Sequence, residues 1–253
     1  DGAFGPGLGS GSVFGASTSF HDIALSHDGT IYIIAETNTG FRGIWRSTQL
    51  GNQPVALSSV TDKHGPGLGP SVTFANFRTG FSLSRDGARI GYIAQLQGGT
   101  VVSGNNLGVF VYDGASNAIQ ARTGTTGVLG PGTGSTDIFS KFEAYAGSSA
   151  PLDLSTTQIA FFGEASTTVG IRRGAWISTD PGSRALAMTN TDGPLGPQAG
   201  AGVTFSAIRD IALLNNGEVV IDAVTSAQAP NEGLWNLSLY RTPVTVFRTG
   251  GIV

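Results

Sequence analysis

Residues 65–74 read Gly65-Pro66-Gly67-Leu68-Gly69-Pro70-Ser71-Val72-Thr73-Phe74, a glycine-proline turn that reaches a phenylalanine eight residues after Pro66. The phrase recurs. Gly5-Pro6-Gly7-Leu8-Gly9, Gly130-Pro131-Gly132-Thr133-Gly134 and Gly196-Pro197-Gln198-Ala199-Gly200 lead, at the same offset of eight from the proline, to Phe14, Phe139 and Phe205. The intervals between successive prolines are 60, 65 and 66 residues. Counting from Pro197 to Val253 and on from Asp1 to Pro6 gives a fourth interval of 62. A fixed offset inside a nearly fixed period marks a tandem repeat, and the chain holds a whole number of copies, cut at a permuted point.

Each copy continues in the same order. An apolar alternating run comes first: Asp22 to Ser26, Phe81 to Ser84, Leu152 to Ser155, and Asp210 to Leu213. A turn follows, at Asp28-Gly29, Asp86-Gly87, Thr156-Thr157 and Asn216-Gly217. Asp-Gly and Asn-Gly are strong hairpin signals and point to type I′ turns, in which both central residues need positive φ. The third copy lacks the glycine and is expected to turn differently. A second strand is expected over 30–36, 88–96, 158–163 and 218–224. Next comes Gly, apolar, aromatic: Gly43-Ile44-Trp45, Gly108-Val109-Phe110, Gly174-Ala175-Trp176 and Gly233-Leu234-Trp235. A last strand over 55–60, 118–122, 185–189 and 244–248 closes each copy. The segments 97–107 and 226–232 read as loops. The segment around each repeated Phe adds a short strand or packs.

The pattern predicts an all-β chain of four repeats of about 60–66 residues, each a four-stranded sheet with alternating side chains. Approximate units are 1–60, 61–124, 125–190 and 191–253, in one domain. No helical periodicity with caps competes. One such sheet cannot bury both faces alone. Radial packing of four does, so the expected fold is a four-bladed β-propeller with permuted closure. A linear solenoid would want atypical end copies with a polar outer face, and none is seen. The last strand, 244–248, is expected to fasten the circle beside strands of the first copy.

Composition narrows the function classes. Charged residues are 12% of the chain, about half the usual quarter, while hydrophobic residues reach 40%, so the chain folds and is not disordered. The net charge is −3 and the twelve arginines are scattered, with Lys63 and Lys141 the only lysines, which argues against a nucleic-acid partner. No apolar run reaches the roughly 18 residues of a membrane helix. There are no cysteines, which excludes thiolate metal sites and cysteine nucleophiles and leaves the compartment open. The chain begins at Asp1 rather than Met, as after removal of a leader or at a chosen start.

The run Ala121-Arg122-Thr123-Gly124, Gly130-Pro131-Gly132-Thr133-Gly134 and Ile138-Phe139 resembles the tandem repeats of secreted bacterial proteins known by an Asn-x-x-Gly-x-x-Ala-Phe signature followed by Gly-Ile-Trp. Phe247-Arg248-Thr249-Gly250 and Gly43-Ile44-Trp45 match the same pattern. Departures are plain: Ser26 and Ser84 stand where the signature has Asn, and Ala160-Phe161 alone approaches its Ala-Phe pair. The resemblance implies an extracellular or surface repeat protein and supplies no catalytic residues.

Few residues offer chemistry. His21, His27 and His64 have no metal-motif spacing and read as surface or turn residues. Asp28 and Asp86 belong to their turns. Asp22 and Asp210 hold the same place in the first and fourth copies, at the start of the innermost strand. Facing one channel mouth, they would bind a hard cation such as calcium through oxygen; Gly80 and Pro151 stand there in the other copies. Trp45, Trp176 and Trp235, with Phe110, recur on an apolar strand and read as core rather than as sugar platforms. Arg172-Arg173 reads as a solvated pair. No phosphate loop or serine elbow is present, and Gly9-Ser10-Gly11-Ser12 is a turn without a helix behind it.

The expectation is therefore a non-enzymatic structural or adhesive repeat protein, extracellular or on the cell surface. Low charge removes the usual protection against association, so its partner is itself or another surface protein. The alternative is a lectin-like propeller that binds glycan or another ligand, which requires an exposed aromatic beside polar residues in equivalent loops.

Overall fold

The computed structural model describes residues 4–15, 20–142, 152–155, 157–179, 182–227, 231–239 and 241–248. Pro151, Thr156, Thr249 and Gly250, which enter the reading of the repeat, lie outside them. The described residues are all-β, with eighteen strands in four antiparallel sheets, three one-turn 3-10 segments and no α-helix. The chain divides into two compact units, Asp1–Ile119 and Gln120–Val253.

In the first unit, β1 (Phe20–Leu25), β2 (Ile31–Glu36), β3 (Arg42–Thr48) and β4 (Gly51–Leu57) form a meander in chain order. The second sheet has the same order, but its first strand is broken. Both β5 (Thr73–Phe77) and β6 (Ser82–Leu83) pair with β7 (Ile90–Gln97), followed by β8 (Leu107–Tyr112) and β9 (Asn117–Arg122). The break falls at Gly80, which takes φ 85°, a left-handed conformation that only glycine adopts cheaply. Strand β9 begins in the first unit and runs into the second.

The second unit repeats both variants. Strands β10 (Ile138–Lys141) and β11 (Leu152–Leu154) share β12 (Ile159–Thr167), which leads to β13 (Gly170–Ser178) and β14 (Ser183–Met188). The fourth sheet is unbroken: β15 (Phe205–Leu213), β16 (Val219–Thr225), β17 (Glu232–Ser238) and β18 (Arg241–Arg248). The last strand pairs with β17, the preceding strand of its own copy. The expectation about the Phe segments holds in three copies, where Phe74, Phe139 and Phe205 are in strands; Phe14 makes a single bridge to Thr37.

Two local expectations change. Last strands start earlier than their apolar residues, at Gly51, Ser183 and Arg241, because backbone pairing in a hairpin does not need apolar side chains. The Asp-Gly turns are not type I′. Gly29, Gly87 and Gly217 have positive φ, whereas Asp28, Asp86 and Asn216 do not. Three-residue hairpins of this kind place one glycine in the left-handed region. The acidic residue instead accepts backbone and hydroxyl bonds: Asp28 Oδ1 accepts from Thr30 N at 2.9 Å, and Asp86 Oδ1 accepts from Ala88 N at 3.1 Å. In the third copy Ser155 Oγ takes that role, accepting from Gln158 N at 3.0 Å.

Burial follows the stacking of sheets within each unit. In the first, Tyr32, Ile34, Ile44, Val55 and Ala56 of the first sheet pack with Phe74, Phe77, Ile90 and Tyr92 of the second. In the second, Phe162, Ala175, Ile177, Leu186 and Ala187 pack with Ile208, Ile211, Leu213, Val219 and Ile221. Each pair of copies thus joins one face of the earlier sheet to one face of the next.

Candidate functional site

The predicted cation pair was placed by sequence at Asp22 and Asp210. The register bears out their equivalence, since Asp22 lies opposite Ile34 on β2 and Asp210 opposite Asp222 on β16. Each carboxylate accepts its following backbone N–H, Ile23 N and Ile211 N, at 2.9 Å. The second oxygen of Asp22 accepts from Gly80 N of the next copy at 2.7 Å. Both oxygens of Asp22 are therefore engaged, one within its own strand and one tying the first copy to the second at Gly80. A related bond joins the other pair of sheets, where Asp153 Oδ2 accepts from Leu213 N at 2.8 Å. Asp210 is exposed, and Asp222 across from it has its carboxyl raised by burial, with Arg209 opposing and Glu232 and Asp210 adding to the rise. Arg209 pairs with Glu232 at 2.9 Å. Among the described residues no three His, Cys, Asp or Glu side chains come together as a metal-holding group.

The aromatic residues form a lock that is repeated four times. The repeated Phe meets the aromatic of the Gly-apolar-aromatic motif edge to face. Ring centroids lie 5.1 Å apart for Phe14–Trp45, 4.9 Å for Phe74–Phe110, 5.1 Å for Phe139–Trp176 and 5.2 Å for Phe205–Trp235. This is the favoured geometry of two ring quadrupoles. All three indoles are fully buried, and each donates Nε1–H to the carbonyl of the proline in its own copy. The distances are 2.9 Å to Pro6, 2.9 Å to Pro131 and 3.2 Å to Pro197. The constant proline-to-phenylalanine offset is the spacing that puts one residue under the indole N–H and the other against its ring. The motif glycine is required by the same contact. A Cβ on Gly43 would lie 2.5 Å from Ala56 O and 3.1 Å from the Trp45 ring, and one on Gly174 would strike Ala187 O and Trp176.

The second copy has no indole and uses a different lock. Tyr92 donates its hydroxyl to Asn117 Oδ1 at 2.6 Å, and Asn117 Nδ2 donates to Val55 O at 3.1 Å and Gly65 O at 3.3 Å. Sequence reading misses Asn117. Its counterparts are Asn52, whose amide reaches Phe4 O at 2.8 Å, and Ser183, whose hydroxyl reaches Gly130 O at 3.2 Å. The signal was a small polar residue at or beside the start of the last strand in the first three copies, Asn52, Asn117 and Ser183. Copies are also stitched by short parallel bridges, Ser58 to Phe74, Thr123 to Phe139 and Thr189 to Phe205. The next residue, Ser59, Gly124 or Asn190, has positive φ and donates its N–H to the same Phe carbonyl.

Elsewhere the chemistry is sparse. His21 lies 3.3 Å from Glu36, which also pairs with Arg42 at 3.3 Å, and His64 is a turn residue beside Asp62. Arg173 pairs with Glu164 at 3.4 Å, so the Arg172-Arg173 step is partly used. Two surface recesses stand out. One, of about 410 Å³, is lined by Asp28, Arg46, Gln49 and Gln53, and one of about 280 Å³ by Glu164, Arg173, Asn190 and Ser206. Neither is lined by an aromatic side chain.

No protein-family model matches the chain, and no curated protein matches it. Among solved structures it is similar to a TolB-like protein of Agrobacterium tumefaciens, at 12% identity and a TM-score of 0.28, over 90% of this chain and 80% of that one. Agreement at that level transfers neither an arrangement of sheets nor an activity.

Proposed function

We propose that this chain is a non-enzymatic structural or adhesive repeat protein of the cell exterior, built from propeller-type blades and able to self-assemble. One observation carries the reading: the recurring residues that sequence singles out are consumed in holding the repeat, while large apolar side chains stand exposed on the first and last sheets. The indoles are tied to proline carbonyls, Asp22 is tied to the next inner strand, and the turn aspartates are tied to their hairpins. Exposed apolar patches on otherwise folded proteins mark association surfaces. A closed four-bladed ring is the self-contained form of such an array, and an open one presents its end sheets to a neighbour.

A lectin-like function needs an exposed aromatic beside polar groups; the two recesses described above have no aromatic lining, and the exposed Phe20 and Phe247 lie outside them. The test is binding of fluorescently labelled protein to bacterial envelopes and to a glycan array, beside its mass in solution. Retention on envelopes or growth of mass with concentration supports the reading. A strict monomer that binds no surface, or selective capture of one glycan, would overturn it.

A further inference from the structure

We propose that the recess beside the hairpin ends of the first sheet binds a small zwitterion of the amino-acid or dipeptide class, with the Arg46 guanidinium holding its carboxylate and Asp28 facing its ammonium group. The recess is built entirely from the first unit. It is separate from the assembly reading above, and neither depends on the other.

Strand register shows that the repeat does not itself ask for a charge at Arg46. This residue follows the motif aromatic Trp45 on β3, and Val111 and Ile177 hold the same place in the next two copies. Both are buried aliphatic side chains. In the fourth copy the place belongs to Asn236, whose amide donates to Glu218 Oε2 at 3.1 Å. The first copy has Thr30 where the fourth has Glu218, and the Thr30 hydroxyl is already given to Asp28 Oδ2 at 3.0 Å. The fourth copy thus supplies a carboxylate to the polar side chain at this register, and the first copy supplies none. Arg46 Nε is buried, and among the described residues no hydrogen bond or ion pair engages the guanidinium. A buried charged donor without an acceptor is costly to the fold, and it selects a ligand that brings one.

The surroundings select the kind of ligand. Tyr32 on β2 and Gln53 on β4 lie directly opposite Arg46, so the three share one face of the sheet. Gln49 and Asp28, from the two adjacent turns, complete a recess of about 410 Å³, within the range of small-molecule sites. A guanidinium takes a carboxylate through two parallel N–H···O bonds. The exposed amides of Gln49 and Gln53 offer donors and acceptors to a peptide group. Asp28 carries a fixed negative charge, since the Ser26 hydroxyl and then the Thr30 N–H hold its carboxyl down to about 2, with Arg46 adding to the effect. Ser26 Oγ, Thr30 N and Thr30 Oγ1 donate to it, and an ionised carboxylate accepts roughly four bonds, so it can take one more. Arg46 and Asp28 line one recess without pairing with each other, which leaves both charges to a ligand. The negative wall repels phosphate or sulfate and favours an ammonium group set beside a carboxylate.

The test is NMR spectroscopy of the intact chain, reading the Arg46 Nε–H signal assigned through its own side-chain carbons. The probes are the dipeptide alanyl-alanine, its C-terminal amide, acetate and inorganic phosphate. Alanyl-alanine should shift the signal saturably, and the amide, which lacks the carboxylate, should bind about tenfold more weakly or worse. Acetate and phosphate should also bind more weakly than the dipeptide. Asp28→Asn, at an exposed position, should weaken the dipeptide and strengthen phosphate. Absence of a saturable shift with alanyl-alanine, equal affinity for its amide, or tighter binding of phosphate would each overturn the inference, and all three are read on the wild-type chain. An Asp28→Asn chain with unchanged preference for the dipeptide over phosphate would overturn the role given to Asp28.

Discussion

The tetrapeptide Asp-Ile-Ala-Leu occurs twice, at 22–25 on β1 and at 210–213 on β15, and its two copies meet opposite fates. In the fourth copy Ile211 and Leu213 lie against the preceding sheet at 8% and 9% exposure, whereas Ile23 and Leu25 stand 67% and 70% exposed. Local sequence, strand pairing and register are the same. The difference is the neighbour: an apolar face of the third sheet covers one copy, and among the described residues of its own unit no sheet face covers the other. Burial here belongs to the junction between repeats, and a repeat has two faces made for its own kind.

Substitution separates the two tetrapeptides most sharply. Ile211→Ala should destabilise by about 2–5 kcal/mol, through lost transfer energy and a residual cavity. Ile23→Ala should stay within about 0.5 kcal/mol in dilute solution, as for other exposed sites. Urea denaturation followed by tryptophan fluorescence reads both. Equal losses at the two sites would remove the distinction.

A second contrast lies between the indole locks and the second copy's Tyr92–Asn117 lock. Asn117→Ala would leave Val55 O, Gly65 O and the Tyr92 hydroxyl without this partner, at a cost of about 1–3 kcal/mol. A thermal midpoint unchanged from wild type would show that the amide is not the counterpart of an indole.

The third contrast is among the Gly-Pro turns. Gly7, Gly67 and Gly132 take φ of 70°, 68° and 65°, and Gln198 takes 54° at the same place. A side chain in the left-handed region costs roughly 1–2 kcal/mol, and glycine's extra freedom in the unfolded chain offsets part of the gain. Gln198→Gly should therefore stabilise by up to about 1 kcal/mol, even though it removes the Gln198 bond to Gly193 O. A lower denaturation midpoint would show that this bond outweighs the relief.

The smallest expected effect distinguishes the hairpins that follow the two tetrapeptides. The Ser26 hydroxyl, and then the Thr30 N–H, hold the Asp28 carboxyl down to about 2. Asn216 stands in the corresponding turn and does not titrate. A carboxyl with a depressed folded pKa contributes stability that is complete above its ordinary value near 4 and is lost as pH falls through about 2. Asp28→Asn should flatten the acid limb of the stability profile between these values. The change should be small, because Asp28 is exposed to solvent. An unaltered limb would assign that pH dependence to other carboxylates, such as Asp86 and Asp113, which are also held low.

Much of this order was legible before any coordinates. The period, the fixed Pro-to-Phe offset and the Gly-apolar-aromatic motif are local, and together they specify the sheet and its lock. Trp45, Trp176 and Trp235 were readable as core because they recur on an apolar strand. The Asp-Gly turns were visible, but their type was not, since an aspartate before glycine suits several hairpins and here only the glycine is left-handed. Asn117 was not legible, because its partners lie 25 to 62 residues away and no motif marks it. The unequal burial of the two Asp-Ile-Ala-Leu segments could not be read at all, because identical side chains carry no record of what packs on them. For the same reason Asp22 resembled a ligand: its bond to Gly80 N depends on a segment 58 residues on.

Backbone hydrogen exchange, followed by mass spectrometry at two protein concentrations, tests the central contrast most directly. The account predicts that peptides covering 210–213 and β12 exchange slowly at both concentrations. Peptides covering 22–25 and 241–248 should exchange quickly when dilute and gain protection as concentration rises. Slow exchange of 22–25 in a dilute monomer, matching 210–213, would contradict it, because the first face would then already be covered within a single chain.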